Sequence, residues 1–112
     1  MATVTGSIST GQIAKKVVSA AETVTVGFES QRQKQLTVVV YNASGSGDIT
    51  GLVIERVLQD GTTVSTESSH GDLAAGAGVT FAFSYNVPKF NVKYVSPAAR
   101  TVFIEVDNGG IS

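Results

Sequence analysis

Hydrophobic and polar residues alternate along most of this chain. The clearest alternation covers residues 24–28, 36–40, 81–85 and 102–106, where every second residue is Val, Leu, Ile, Phe or Tyr. A period of two places successive side chains on opposite faces of an extended strand. β-Branched and aromatic residues are also the types that strands favour. The pattern therefore predicts half-buried strands in antiparallel sheets.

Turn signals separate the alternating segments at short intervals. A Gly/Ser loop is predicted at Asn42–Asp48, and Asp60–Gly61 predicts a hairpin with a type I′ turn, in which both central residues have positive φ. Pro88 and Pro97 each end a strand because proline cannot donate to a β-ladder. The predicted strands lie near 3–7, 13–19, 23–28, 35–41, 51–58, 62–67, 79–86, 90–95 and 100–106.

These elements predict an all-β fold, an antiparallel β-sandwich of the Ig-like or jelly-roll kind with seven to nine strands. Residues 12–22 are ambiguous because they tolerate a helix, but Val17, Val18 and the Thr-rich segment that follows favour an edge strand. We expect one domain, with the sandwich at 13–107 and a flexible C-terminal tail at 108–112.

Residues 1–12 are predicted to be an N-terminal arm or an edge strand. Val4 and Ile8 are its sparse apolar anchors, and together with Ile13 they are the candidate contact residues of an assembly arm. An extended arm has unpaired backbone groups that can add a strand to a neighbour's sheet. Pairing within its own sandwich and disorder are the alternatives that the sequence leaves open.

Charge is low and nearly balanced. Charged residues make up 15% of the chain and the net charge is −1, whereas soluble domains average about 25% charged residues. Nucleic-acid binding, which usually needs a basic excess, is therefore not expected. A membrane span is not expected either, because no run of about 18 apolar residues is present. Such a surface suits a protein covered by neighbours, or a secreted or particle-borne one.

Candidate chemistry is sparse. The single histidine, His70, has Ser68, Ser69 and Asp72 nearby in sequence, but residues so close in an extended loop mostly point apart and do not form a catalytic triad. The absence of cysteine excludes thiolate nucleophiles and disulfides. We therefore expect no enzyme activity, no cofactor and no metal site.

Other catalytic and binding sites have little support. The carboxylates Glu55, Glu67, Glu105 and Asp107 are scattered over different strands, which disfavours a hydrolytic pair or a calcium site. The glycine-rich loops at 45–47 and 76–78 lack the Lys-Ser/Thr of a phosphate-binding loop. A sugar-binding platform would have few aromatic residues to build from, since there is no Trp and only three Tyr.

Residues 36–86 resemble bacterial sandwiches of the Ig-like, cell-adhesion type. Leu36–Asn42 and the loop after it are similar to their V-x-V-x-N-x-G strand and turn. Asp60–Gly61, Leu73–Gly76 and Val79–Phe83 are similar to their D-G … L-x-A-G-x-x-x-x-F pattern. Similar sandwiches occur as decoration (cement), neck and tail proteins of tailed phages and as jelly-roll subunits of bacterial surface filaments. The resemblance brings no catalytic residues with it.

The resemblance implies a structural protein of a virion, either a capsid decoration protein or a tail-associated subunit. The absence of a recognisable leader favours this expectation over a secreted adhesion module, since virion proteins are made and assembled in the host cytoplasm. The expected partners are protein neighbours in a capsid, a tail or a homo-oligomer, without nucleic acid or membrane. A subunit of an extracellular filament built by strand addition and a carbohydrate-binding module are the alternatives.

Overall fold

The chain folds into nine β-strands within the residues that the structure describes. The structure is a computed structural model that describes residues 2–8, 11–30, 35–45, 47–84, 87 and 89–110, with only the backbone described at 2–8, 11–15, 30, 35 and 108–110. The strands are β1 (Ala2–Ile8), β2 (Gly11–Ser19), β3 (Glu22–Ser30), β4 (Gln35–Asn42), β5 (Ile49–Val57), β6 (Val64–Leu73), β7 (Gly78–Phe83), β8 (Lys89–Ser96) and β9 (Arg100–Gly110).

The strands form two sheets. The five-stranded sheet has the order β1-β3-β8-β5-β6, and the four-stranded sheet has the order β2-β9-β4-β7. From β2 to β9 the chain therefore supplies four strands to each sheet, in the arrangement of a jelly roll. This confirms the predicted all-β sandwich and decides between the two kinds of sandwich that the sequence left open.

One strand departs from the antiparallel prediction. β1 pairs in parallel with β3, from Ala2 opposite Val24 to Ile8 opposite Ser30, while every other described strand pair is antiparallel. Residues 2–8 thus form an edge strand of the five-stranded sheet. Most of the ambiguous segment at 12–22 belongs to β2, an edge strand as predicted, which pairs with β9.

The alternating residues form the core between the sheets. The inward positions predicted from the sequence on β3, β4 and β9 are all buried, as are Phe81 and Phe83 of β7. Alternate residues of β8 are buried as well, namely Phe90, Val92 and Tyr94. Phe28 and Phe90 face each other on β3 and β8, with ring centroids 5.2 Å apart and planes 19° from parallel. Tyr85, which was predicted to continue this pattern, lies outside the described residues.

Asn42 joins three loops at one end of the sandwich. Its side chain is fully buried, and its Nδ2 donates to the carbonyl oxygens of Gly47 and Leu73, both at 3.0 Å. Its Oδ1 accepts a hydrogen bond from the Ser44 N–H at 3.1 Å, and its own N–H donates to the Ala77 carbonyl at 2.9 Å. We call these five residues the loop junction; they fix the ends of β4, β6 and β7 to one another.

Arg100 and Gly47 make a close contact beside the loop junction. The Nε of Arg100 donates to the Asp48 carbonyl oxygen at 2.9 Å. Gly47 has φ +95°, and a Cβ at this position would collide with the Arg100 guanidinium. The Gly/Ser loop predicted at residues 42–48 is thus held by specific contacts, and glycine is favoured at 47 because of its positive φ.

The β5–β6 hairpin is present, but its turn type was predicted wrongly. A type I′ turn needs positive φ at both central residues, and Gly61 has φ +79° while no described non-glycine residue has a positive φ. Residues 58–63 instead connect the strands through a wider loop, in which the Leu58 N–H donates to the Thr63 carbonyl at 2.8 Å. The side chain of Asp60 closes the loop by accepting bonds from Thr62 and Thr63.

The loop bonds lower the pKa of Asp60. The Thr63 hydroxyl, followed by the backbone N–H groups of Thr62 and Thr63, stabilises the carboxylate and lowers its pKa from 3.8 to about 2. A depressed folded-state pKa contributes stability that is present above pH 3.8 and is lost as the pH falls toward 2. We therefore expect Asp60→Asn to be less stable than the wild type at pH 5, with the difference shrinking between pH 4 and pH 2. Thermal unfolding at a series of pH values measures this, and a difference that does not change with pH would contradict it.

Tyr94 buries a hydroxyl group that has no hydrogen-bond partner in the described part of the chain. Burial, followed by repulsion from the Glu22 carboxylate, raises the pKa of the phenol well above its ordinary value of 10. A buried polar group without a partner costs about 1–3 kcal/mol. We expect Tyr94→Phe to raise the free energy of unfolding by about 1–2 kcal/mol. Denaturant unfolding measures this, and a loss of stability would instead show that the hydroxyl has a partner.

Two strand ends differ from the sequence prediction. β6 continues to Leu73 instead of ending near 67, so His70 and Asp72 lie on a strand and not in a loop. β9 continues to Gly110, where it pairs with Gln35, so residues 108–110 of the predicted flexible tail belong to a strand. In both cases cross-strand pairing extends a segment whose polar and glycine residues are typical of loops.

Candidate binding face

The outer face of the four-stranded sheet carries two exposed aromatic rings. Tyr41 of β4 is 41% exposed, Phe103 of β9 is 43% exposed, and Val18 of β2, on the same face, is 71% exposed. The alternation of β4 and β9 explains their orientation, because the neighbours of Tyr41 and Phe103 in sequence point into the core. We call Val18, Tyr41 and Phe103 the aromatic face.

The register of the sheet places these residues side by side. Phe103 pairs with Tyr41 on one side and with Lys16 of β2 on the other. Tyr41 in turn pairs with Gly78 of β7, and a Cβ at Gly78 would lie 3.3 Å from Cδ1 of Tyr41. The tyrosine ring therefore rests over the glycine, and the row Lys16–Phe103–Tyr41–Gly78 crosses all four strands. Because these strands are fixed by their ladders, the backbone positions of both residues are set before anything binds.

Two charged residues lie next to Phe103 on this face. Lys16 of the edge strand β2 is opposite Phe103, Glu105 is two residues further along β9, and both are exposed, as is the uncharged Thr80 of β7. The outer face of the five-stranded sheet is different, since it has the ion pair of Lys89 and Glu29 at 3.2 Å and no exposed aromatic residue among the described ones. Interface centres are enriched in aromatic residues, which makes the aromatic face the better candidate.

The candidate arm residues do not share one sheet. Val4 and Ile8 lie on β1, opposite Val26 and Ser30 of the five-stranded sheet. Ile13 lies on β2 of the four-stranded sheet, opposite Val106. Their side chains are outside the described residues, so the contact role of Val4, Ile8 and Ile13 stays a prediction.

The residues considered for chemistry are dispersed. His70 is exposed on the edge strand β6, and Glu67 on the same strand forms an ion pair with Arg56 at 2.8 Å. Within the described residues, no three His, Asp or Glu side chains lie close enough together to hold a metal ion. Nor does any described helix have the length and apolar character needed to cross a membrane.

A shallow open depression lies at the opposite end of the sandwich from the loop junction. It is lined by residues that include Gly27, Asn91 and Val57, together with the paired Glu29 and Lys89. Its two charged groups neutralise each other and are both well exposed. The depression therefore presents a solvated ion pair and no group prepared for catalysis.

Sequence reasoning missed the pairing of Tyr41 with Phe103. The alternation alone places both rings outward, which was the available signal. Tyr41 and Phe103 are neighbours because β4 pairs with β9. The order of strands in a sheet cannot be predicted from the periodicity of the sequence. The judgement that the chain had few aromatic residues for a platform overlooked Phe103.

The comparisons with known proteins support the fold. The pre-peptidase C-terminal domain of a collagenase from Bacillus anthracis is 15% identical, with a TM-score of 0.57 and coverage of 91% of this chain and 93% of that one. The PBSX exported protein XepA is 15% identical, with a TM-score of 0.61, and matches 89% of this chain but 38% of its own. A subunit of Bacillus endospore appendages, described as disulfide-linked pili, is 17% identical, with a TM-score of 0.53 and coverage of 90% and 86%.

At these identities the likeness shows a shared small β-sandwich and not a shared function. No family model matches this chain, and no curated protein matches it. The disulfide links named for the endospore appendages have no counterpart here, because this chain has no cysteine.

Proposed function

We propose that this chain is a non-catalytic structural subunit of a multi-copy particle, which it joins by covering its aromatic face against a neighbour. The observation that carries the proposal is the pair Tyr41 and Phe103, exposed and adjacent on the outside of a rigid sheet. Aromatic side chains with few rotatable bonds lose little conformational freedom when they are covered, and such residues supply much of the binding energy of protein interfaces.

The particle we favour is that of a tailed phage, with this chain as a capsid decoration (cement) or tail-associated subunit. The low charge of the chain supports this, because few charged groups have to be desolvated when many faces are covered. Residues 36–86 resemble bacterial sandwiches of the cell-adhesion type, and similar small sandwiches occur in tailed-phage particles, which supports it as well. The PBSX exported protein XepA has a similar fold to this chain, which is in agreement with the proposal.

A bacterial extracellular filament is the second candidate. The observation in its favour is β1, an edge strand whose pairing with the rest of its sheet is limited to β3. A strand in this position can be offered to a neighbouring copy. The shared fold with the subunit of the endospore pili is in agreement with this candidate.

The proposal is tested by the double substitution Tyr41→Ser with Phe103→Ser. The untagged wild-type protein should sediment with the particle fraction of the culture that produces it, whether virions or sheared filaments. The double variant should remain folded and lose this co-sedimentation, because hydroxyl groups replace both rings.

Exposed apolar residues elsewhere provide the matched control. Val95 and Leu58 are 40% and 39% exposed outside the aromatic face, so Val95→Ser with Leu58→Ser should sediment like the wild type. Co-sedimentation of the Tyr41/Phe103 variant at the wild-type level would refute the proposal. A glycan-array signal that the wild type gives and the Tyr41/Phe103 variant loses would replace it with carbohydrate binding.

A further inference from the structure

The four edge strands of the sandwich differ in how well they are protected against pairing with another chain. An exposed edge has free backbone donors and acceptors, and proteins usually protect such edges with charged residues, proline or bulges. The edges here are β1 and β6 in the five-stranded sheet and β2 and β7 in the four-stranded sheet.

Two of these edges are protected. β2 contains Lys15 and Lys16 in succession. β6 contains Glu67, His70 and Asp72, and its register with β5 shifts at three places. Charge and irregular backbone make both strands poor templates for an added strand.

The other two edges lack this protection. β1 has the sequence ATVTGSI and β7 has the sequence GVTFAF, neither with a charged residue or a proline. The register of β1 with β3 is continuous over its whole length, and so is the register of β7 with β4. Both strands therefore present a regular, uncharged edge.

The backbone groups of β7 that face outward can be assigned. The Asn42 N–H donates toward β7, to the Ala77 carbonyl, and the Ala43 N–H donates toward β9, to the Thr101 carbonyl. Because backbone groups alternate along a strand, Val40 and its partner Val79 also bond to each other. The N–H and C=O groups that point away from the sheet on β7 are therefore those of Gly78, Thr80 and Ala82.

The two unprotected edges lie on opposite sides of the sandwich. β1 contacts β2 across the two sheets at one side, and β6 contacts β7 at the other. Each side thus has one protected and one unprotected edge. The β1 edge of one copy can therefore pair with the β7 edge of another copy. The protected edges β2 and β6 do not have to pair with each other in this contact.

We propose that copies of this chain add head to tail, with the β1 edge of one copy hydrogen-bonded to the β7 edge of the next. This deepens the proposed function and rests on it, since it names the second copy of the chain as a neighbour. Because the two edges are different, the contact is heterologous, and it generates a ring if the rotation closes or an open filament if it does not. A ring fits a tail-associated subunit, and an open helix fits a surface filament.

Two blocked variants test the proposal. Thr3→Lys with Thr5→Lys places charge on β1 and leaves β7 intact, while Thr80→Lys with Ala82→Lys does the reverse at two exposed positions of β7. Light scattering after size-exclusion chromatography should give a multi-copy mass for the wild type and 11.6 kDa for each variant alone. An equimolar mixture of the two variants should give a dimer with twice that mass, because it contains one intact pair of edges.

The control places the same charges on a protected edge. Thr66→Lys with Ser69→Lys changes two exposed residues of β6 and should leave the wild-type mass unchanged. If a lysine variant of β7 fails to fold by circular dichroism, Thr80→Pro takes its place, since it removes an outward N–H and none of the bonds to β4.

Each other outcome overturns the proposal. A Thr3/Thr5 variant that still associates alone would show that copies join without the β1 edge. A mixture that remains monomeric, a β6 control that dissociates, or a wild type of 11.6 kDa at every concentration would show that these edges do not join. Co-sedimentation with particles that depends on Tyr41 and Phe103 would in that case leave the proposed function standing.

Discussion

Replacing Phe90 with alanine is expected to lower the free energy of unfolding by about 3–5 kcal/mol. Phe90 is fully buried on β8, which lies between β3 and β5 in the middle of the five-stranded sheet. Its ring stacks on Phe28, so the substitution removes an aromatic pair and leaves a cavity between the sheets. Since a domain of this size is stable by about 5–15 kcal/mol, the loss should bring the variant close to unfolding. Urea denaturation measures it.

Phe103→Ala is the matched control for Phe90→Ala. Phe103 is a phenylalanine of the other sheet whose ring is exposed on the aromatic face. Its removal should cost less than about 1 kcal/mol of folding free energy. Equal losses of stability in the two variants would contradict the assignment of β8 to the core and of Phe103 to the surface.

Asn42→Ala is expected to lower the free energy of unfolding by about 2–4 kcal/mol. The substitution leaves the carbonyl oxygens of Gly47 and Leu73 and the N–H of Ser44 without their side-chain partner. The Nδ2 bond to Leu73 is buried, so its loss carries the cost of an unsatisfied buried acceptor. Chemical denaturation gives the loss, and amide exchange at Ser44 should become faster.

Asn91→Ala controls for the loss of an asparagine as such. Asn91 is half-buried on the outer side of β8, and its substitution should change stability by less than about 1 kcal/mol. If Asn42→Ala were as mild as Asn91→Ala, the loop junction would not be what fixes the ends of β4, β6 and β7.

The strands of this fold follow from local physics, and so the sequence predicts them well. On β4, Leu36, Val38 and Val40 are buried as their spacing requires, because only one face of a sandwich strand meets the core. The strand order does not follow from spacing, since β4 lies between β7 and β9 and not beside β3 or β5. The jelly roll could therefore be proposed from the sequence but not distinguished from an Ig-like sandwich.

The candidate binding face was less accessible to sequence reasoning. Phe103 alternates outward, but its position next to Tyr41 depends on a pairing between distant strands. The turn at Asp60–Gly61 was misjudged for a related reason, because the Asp60 side chain closes a wider loop through Thr62 and Thr63 that competes with the two-residue turn. Side-chain bonds of this kind depend on geometry that residue types alone do not specify.

The location of the protein in the culture that produces it tests the assembly function most directly. Gold-labelled antibodies against the untagged protein, viewed by negative-stain electron microscopy, should decorate one kind of particle at regular intervals. Label on phage capsids or tails would agree with the favoured particle, and label along filaments would agree with the second candidate. Label that is dispersed and absent from every particle would contradict the account.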